Sequence, residues 1–250
     1  MRIAICVSGI CRGNVQKNMS RIQKAFDGDF FFSTWKGLEE SLENVGIKNY
    51  FVFEEPLIPY HPLSDIPDNI MPPVHKIWTL RESLSTNKYL RERMSHFTKQ
   101  IIGHSYLLNM VPNSYDMIIR VRYDTYISDK ADFSQFIKSS YKEKKAIGFG
   151  VRTRRHKDLD TLKVLPHVWP KKDSPSPGIS NDWGGYIMDP MIFHPRDIFD
   201  HDLMWKLHNE HKLMAAEMGW YQILSQPYGD NHESVYGGAQ IEKYLSSTKH

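Results

Sequence analysis

Arg120-Val-Arg-Tyr-Asp124 sets two guanidinium groups and a carboxylate directly after the apolar run Met117-Ile-Ile119. In an extended strand alternate side chains share a face, so Arg120, Arg122 and Asp124 project together while Val121 and Tyr123 project the other way. Burying such charges at the end of a core strand is costly unless they pair with one another or meet a ligand, and a phosphate group held through a metal ion satisfies all three. A self-contained salt-bridge cluster is the plainer alternative. A second constellation, Asn181-Asp182-Trp183-Gly184-Gly185, joins a carboxylate able to accept a proton or bond hydroxyls to glycines that admit a close backbone. An ordinary turn before a strand at Tyr186 to Met188 accounts for the same residues.

Other chemistries find less support. Twelve histidines occur without a His-Glu-x-x-His, which disfavours a zinc hydrolase. His232, in the polar loop Gly229-Asp-Asn-His-Glu233, is a candidate late ligand for a metal or a diphosphate, or else a solvated loop residue. The run Arg152-Thr-Arg-Arg-His-Lys157 suits either an anion clamp or a solvated basic loop. The glycine signatures of P-loop nucleotidases, dinucleotide oxidoreductases and α/β-hydrolases are missing.

The elements that must carry these residues alternate. Ile3 to Ser8 is an apolar strand broken at Ser8-Gly9, Asn14 to Phe26 has helical spacing, and Phe30 to Trp35 is a second strand. A helix over Gly37 to Val45 and a strand over Tyr50 to Glu54 extend the β-α-β-α-β order, which implies a parallel sheet with helices on its faces. Pro56 to Pro73 is proline-rich and predicts a surface loop, and Val74 to Val111 predicts a helix with Met94, Phe97, Ile101 and Leu108 on one face. The strand Tyr115 to Asp124 follows, then a strand at Ala146 to Val151, a basic loop from Arg152 to Ile179, and a helical segment bearing Leu203, Leu207, Met214 and Met218. The expected fold class is α/β, a mixed central sheet flanked by helices in a single domain over 1–250, with 1–128 as nucleotide-binding half and 129–250 as acceptor half. Ligands in open α/β sheets bind outside the carboxyl ends of the strands, where both Ser8-Gly9 and Asp124 fall.

Composition agrees with a folded globular protein. The chain is 40% apolar and 24% charged with a formal net charge of +3, which excludes a disordered protein and a dedicated nucleic-acid binder but admits a small anionic ligand. Cys6 and Cys11 lack the spacing of a disulfide framework or zinc site. The stretch Ile3 to Ile10 is too short to span a bilayer and too broken for a signal peptide, so the expectation is a cytoplasmic protein with no transmembrane segment.

The order strand-Ser-Gly, strand ending Ser-Thr-Trp, long helix, Tyr-Asp-x-x-Ile-Arg-x-Arg-x-Asp, then Asn-Asp-x-x-Gly resembles small GT-A type glycosyltransferases of viral and bacterial surface-glycan gene sets, over Ile3 to about Met188. The resemblance implies a Rossmann-like GT-A fold and transfer of a sugar from a nucleotide-sugar, a UDP-sugar first, to a carbohydrate acceptor. It places Val7, Ser8, Gly9, Arg12, Thr34 and Trp35 around the base and ribose; an aromatic face at a strand end suits a uracil ring, so Trp35 is the expected stacking anchor. It gives Asp124 the metal, Mn²⁺ or Mg²⁺, that bridges the diphosphate, with His232 as a further ligand. Arg122, Tyr126, Asn181 and Gly185 complete the donor site, and Asp182 is the catalytic carboxylate. The chain departs from the family's Asp-x-Asp, since Asp124-Thr-Tyr126 has no second carboxylate; diphosphate oxygens and water would complete the shell. A nucleotidyltransferase acting on sugar phosphates shares these features but ordinarily carries a glycine-rich basic loop after its first strand, where this chain has Ser8-Gly-Ile-Cys-Arg-Gly13. A non-catalytic nucleotide- or carbohydrate-binding module is the third alternative.

Overall fold

A computed structural model describes residues 1–11, 13–56, 88–151, 156–165, 187–209, 213, 216–242 and 245. The expected loop at Pro56 to Pro73, and the start of the expected helix from Val74, lie almost wholly outside them.

The amino-terminal half forms much as its periodicity dictates. Strand β1 (Ile3–Ser8) leads to α1 (Val15–Ala25), β2 (Asp29–Trp35), a single turn α2 (Glu40–Glu43), and β3 (Phe51–Phe53). Asn14 begins α1 by accepting the Lys17 amide at 3.1 Å, and Val15, Met19 and Ile22 bury one face of it. The long helix α3 (Lys88–Met110) precedes β4 (Met117–Arg122) and the short β5 (Thr125–Ile127). Arg196 closes α3 by donating to the carbonyls of Leu108 and Val111, both at 2.9 Å. Then come α4 (Ser134–Glu143), β6 (Ala146–Gly150), β7 (Lys163–Leu165), β8 (Met191–Pro195), α5 (His201–Asn209), α6 (Ala216–Leu224), β9 (His232–Tyr236) and β10 (Ala239–Ile241).

Eight strands form one sheet in the order β3-β2-β1-β4-β8-β6-β9-β7. β8 runs antiparallel to β4 and β6, β7 runs antiparallel to β9, and every other pairing in this sheet is parallel. β10 and β5 make a separate antiparallel ribbon. The fold class is therefore mixed α/β, as expected, and strands from both halves of the chain enter the same sheet.

Each face of the sheet has its own apolar core. On one, Ala4, Cys6, Ile118 and Ile192 meet Ile101, Leu107 and Leu108 of α3 and Trp220, Ile223 and Leu224 of α6. On the other, Ile5, Val7, Ile119 and Phe193 meet Val15, Met19 and Ile22 of α1, with Phe136 and Ile137 of α4 beside them. No helix among the described residues is long and apolar enough to cross a membrane.

Four expectations for the second half are corrected. The stretch expected to be a loop from Arg152 onward contains, among its described residues, a 3-10 turn at His156–Asp160 and the strand β7. Ile187 and Met188 are not in a strand; the strand is Met191–Pro195, whose prolines at 190 and 195 disguise a fully buried apolar run. The single helical segment expected around Leu203 to Met218 is two helices, α5 and α6. The polar loop around His232 gives way to β9, which pairs with β6 on one side and β7 on the other.

Candidate functional site

β1 and β4 are adjacent parallel strands, and their register places Ser8 opposite Arg122 at the carboxyl edge. Alternation then turns Ser8, Arg120 and Arg122 toward α3, on the side of Cys6 and Ile118, and turns Val7, Val121 and Tyr123 toward α1.

Arg122 grips Asp124 through two parallel bonds, Nε to Oδ1 at 2.8 Å and Nη2 to Oδ2 at 2.9 Å. Its Nη1 donates to Gln100 Oε1 at 3.2 Å and lies 3.4 Å from Asp189 Oδ2. Arg120 sits deeper, fully buried, donating from Nη2 to Gln100 Oε1 at 2.8 Å and from Nη1 to the Asp189 carbonyl, with its guanidinium 5.0 Å from the Trp220 ring centroid. Burial lowers the Arg120 pKa to about 10, the Asp189 charge opposing that fall. Gln100, on α3, thus fixes both guanidinium groups with one oxygen. Charges of both signs meet here, and the Arg122 side chain keeps 15% of its surface exposed while Asp124 keeps 6%.

Two backbone features bring Asp189 into this cluster. A Cβ on Gly148 of β6 would lie 2.5 Å from the Met188 carbonyl, so only glycine lets residues 187 and 188 pass so near the sheet. Thr125 Oγ1 donates to the Pro190 carbonyl at 2.9 Å and ties the segment to the exit of β4. Glu242, at the end of β10, completes the wall. Its amide donates to the Asp124 carbonyl at 2.8 Å, and its Oε2 accepts from the Asn14 amide at 2.8 Å and Asn18 Nδ2 at 3.0 Å. The loop after β1 returns Cys11 to the field of Asp124; burial first and that charge second push its thiol up to about 11, which makes it a poor nucleophile at neutral pH.

The structure brings Ser8, Arg122 and Asp124 together; Gly9 and Thr34 lie at the same carboxyl edge, and the other expected site residues have surroundings of their own. Val7 is a core side chain under α1. Gly9 follows β1 with φ +115°, a left-handed turn that leads the chain off the sheet edge. Thr34 is buried at the carboxyl end of β2, and its hydroxyl has no hydrogen-bond partner within the described residues. Trp35 is only 7% exposed; its six-membered ring lies against Gly103 of α3 and meets Tyr106 edge-on, so the stacking role expected of it is corrected to core packing. Tyr126 sits in β5, where Arg21 covers its ring at 4.3 Å and Val151, Leu159 and Leu245 pack beside it. His232 begins β9 opposite Ala146, the first residue of β6, so it lies at the amino edge of the parallel strands, across the sheet from Asp124. There it is 2.8 Å from Ser225 Oγ and edge-on to Tyr221. The expected sharing of one ion by His232 and Asp124 is therefore corrected. Arg12, Asn181, Asp182 and Gly185 lie outside the described residues.

Asp124 does not fit the role of a metal ligand as it stands. Both of its oxygens accept from Arg122, a second guanidinium lies behind, and among the described residues no group of three histidine, cysteine, aspartate or glutamate side chains converges as a metal shell would require. Sequence reasoning missed Gln100, Asp189 and Glu242, which come from three separate segments and carry no local motif. The Asp-Pro step before β8 was the one available sign of Asp189.

No family model matches the chain, and no curated protein matches it in sequence. Among solved structures it is similar to S. aureus TarS 1-349 in complex with UDP-GlcNAc, at 9% identity and TM-score 0.45, over 96% of this chain and 58% of that one. It is also similar to mannose-1-phosphate geranyltransferase from Thermus thermophilus, at 10% identity and TM-score 0.49, over 100% and 81%, and to the Mn/GDP form of core-mannan synthase A from Aspergillus fumigatus, at 10% identity and TM-score 0.41, over 92% and 68%. The chain thus spans less than two thirds of the TarS fragment that it matches.

Proposed function

We propose that this chain is a glycosyltransferase that takes a sugar from a nucleotide-sugar donor, a UDP-sugar first, and passes it to a carbohydrate acceptor. The support is the convergence of Ser8, Gln100, Arg122, Asp124 and Asp189 at the carboxyl edge of β1 and β4, the place where open α/β sheets receive ligands. A part-exposed guanidinium flanked by carboxylates suits a substrate that is at once anionic and rich in hydroxyls. The diphosphate takes the planar N–H fork, and sugar hydroxyls donate to carboxylate oxygens.

The same arrangement favours departure of the nucleotide. As the bond from the sugar to the diphosphate breaks, negative charge grows on the leaving oxygen, and a guanidinium already held in place stabilises it without reorganising. The attacking acceptor hydroxyl must lose a proton. The resemblance puts Asp182 beside the transferred sugar and acceptor, where a carboxylate can take that proton, and Asp189 is a carboxylate beside Arg122 at the carboxyl edge of β4.

The reading is tested by incubating the purified protein with a panel of nucleotide-sugars and following released nucleoside diphosphate, with Asp182→Asn in parallel. Turnover of one donor, lost in Asp182→Asn while binding persists, is the expected result. If no nucleoside diphosphate or nucleotide-sugar binds, the proposal fails, and the cluster at Arg122 is a structural ion-pair network.

A further inference from the structure

We infer that the Arg122 guanidinium is itself the cation of the diphosphate site, so that the nucleotide binds without a divalent metal ion, an assignment that rests on the nucleotide-sugar reading above. The family resemblance puts a metal on Asp124, yet the side chain two residues earlier on the same face is a guanidinium, and it engages both carboxylate oxygens through bonds of 2.8 and 2.9 Å. Its remaining edge is taken up by Gln100 at 3.2 Å and faces Asp189 at 3.4 Å. Arg122 thus stands between Asp124 and Asp189, where a metal bridging two carboxylates would stand.

Charge argues the same way. Arg120 and Arg122 balance Asp124 and Asp189 within the cluster. A divalent ion entering between the two aspartates would meet one guanidinium at contact and a second, fully buried one behind it, beside buried Asp124 and Asp189, where water at the rim screens the repulsion only in part. A diphosphate meets the opposite situation. It offers oxygens at the spacing that a guanidinium fork accepts in pairs, and Gln100 and Asp189 hold that fork in position. Asp124 then acts as a built-in competitor that keeps Arg122 aimed and yields it to phosphate.

The two roles for Asp124 predict opposite consequences for one substitution. If it ligates a metal, Asp124→Asn weakens nucleotide binding. If it competes for Arg122, Asp124→Asn leaves UDP bound at least as tightly, because the amide releases the fork.

The experiment is calorimetric titration of the full chain with UDP in EDTA and again in Mn²⁺, for the native protein, Arg122→Gln and Asp124→Asn, each first checked for cooperative thermal melting. The expected result is that native affinity is the same in EDTA and Mn²⁺ within about twofold, that Arg122→Gln weakens it by about tenfold or more, and that Asp124→Asn does not weaken it. Native binding that appears only with Mn²⁺ overturns the inference and leaves the glycosyltransferase proposal standing. Absence of UDP binding in both conditions, with other nucleoside diphosphates equally inert, overturns both. Should Arg122→Gln fail to fold, the EDTA and Mn²⁺ titrations of the native chain decide alone.

Discussion

His104 of α3 and His194 of β8 face each other with their Nε2 atoms 3.1 Å apart, both fully buried between sheet and helix. His194 Nδ1 lies 2.8 Å from the Pro195 carbonyl, which only accepts, so that nitrogen carries the proton. The His194 Nε2 is then the acceptor and His104 Nε2–H the donor, leaving His104 Nδ1 as a buried acceptor without a hydrogen-bond partner within the described residues. Phe199, Trp220 and the Arg120 charge surround the pair, with His201 nearby.

Stability should therefore depend on pH below neutrality. Burial lowers the His194 pKa to about 4 and the His104 pKa in the same direction, while the unfolded chain protonates near the ordinary value of 6.5. The unfolded state then binds more protons between those values, so the stabilisation is whole above pH 6.5 and is lost as pH falls toward 4. Chemical denaturation at pH 7.5 and 4.5 should show a loss of roughly 3 kcal/mol from His194 alone. His194→Gln, which cannot ionise, should flatten the slope, and an unchanged slope would remove the pair from the account.

Arg120 and Arg122 should respond differently to substitution. Arg120→Ala strips a buried charge from Gln100 and the Asp189 carbonyl and opens a void over Trp220. We expect a loss of about 3 kcal/mol in urea unfolding. Arg122, at the rim of the same cluster, should cost about 2 kcal/mol when changed to Gln, because Asp124 loses its bidentate partner, and should show a further effect in ligand binding.

Glu242 and Gly13 form a coupled pair at the start of α1. Glu242→Ala removes the acceptor for the Asn14 amide and Asn18 side chain, with an expected loss of about 1–2 kcal/mol. Gly13→Ala, at φ +68° with its new Cβ driven into Glu242 Oε2, should destabilise by a similar amount, about 1–2 kcal/mol. The double variant should lose less than the two singles together, since the collision disappears with the carboxylate. Strict additivity in a thermal-melt cycle would contradict the contact.

Gly148→Ala should act at a distance. Its Cβ would press on the Met188 backbone, shift Asp189, and destabilise by about 2 kcal/mol. Nucleotide affinity should fall with it, whereas Gly46→Ala, at a turn open to solvent, should leave affinity unchanged.

The local order of the first half was legible because each element carries its own signal. An apolar run ending in Ser8-Gly9, an amphipathic repeat at Val15, Met19 and Ile22, and the alternation through Arg122 all report near neighbours. The second half hides its strands: β8 is framed by prolines, β7 is a three-residue edge strand, and β9 begins in residues typical of loops. The site was legible only where one strand supplied it. Arg120, Arg122 and Asp124 share a face by alternation, whereas Gln100, Asp189 and Glu242 meet them through packing alone. Trp35 was misread for a related reason, since an aromatic at a strand end looks the same whether a ligand or a helix covers it.

One strand of the main sheet's interior points the other way, and that reversal determines what can reach Asp124. β8 enters the sheet at the rim where β4 leaves it, pairing Val121 with Met191. The residues just ahead of β8 are consequently delivered to that rim by connectivity alone, with no crossover to be made. Asp182 precedes Asp189 by seven positions, a tether of about 25 Å even when fully stretched. An insertion or deletion of a few residues between the two would alter the reach of Asp182 while sparing the sheet, and under the proposed glycosyltransferase role should change sugar transfer while leaving nucleotide binding in place.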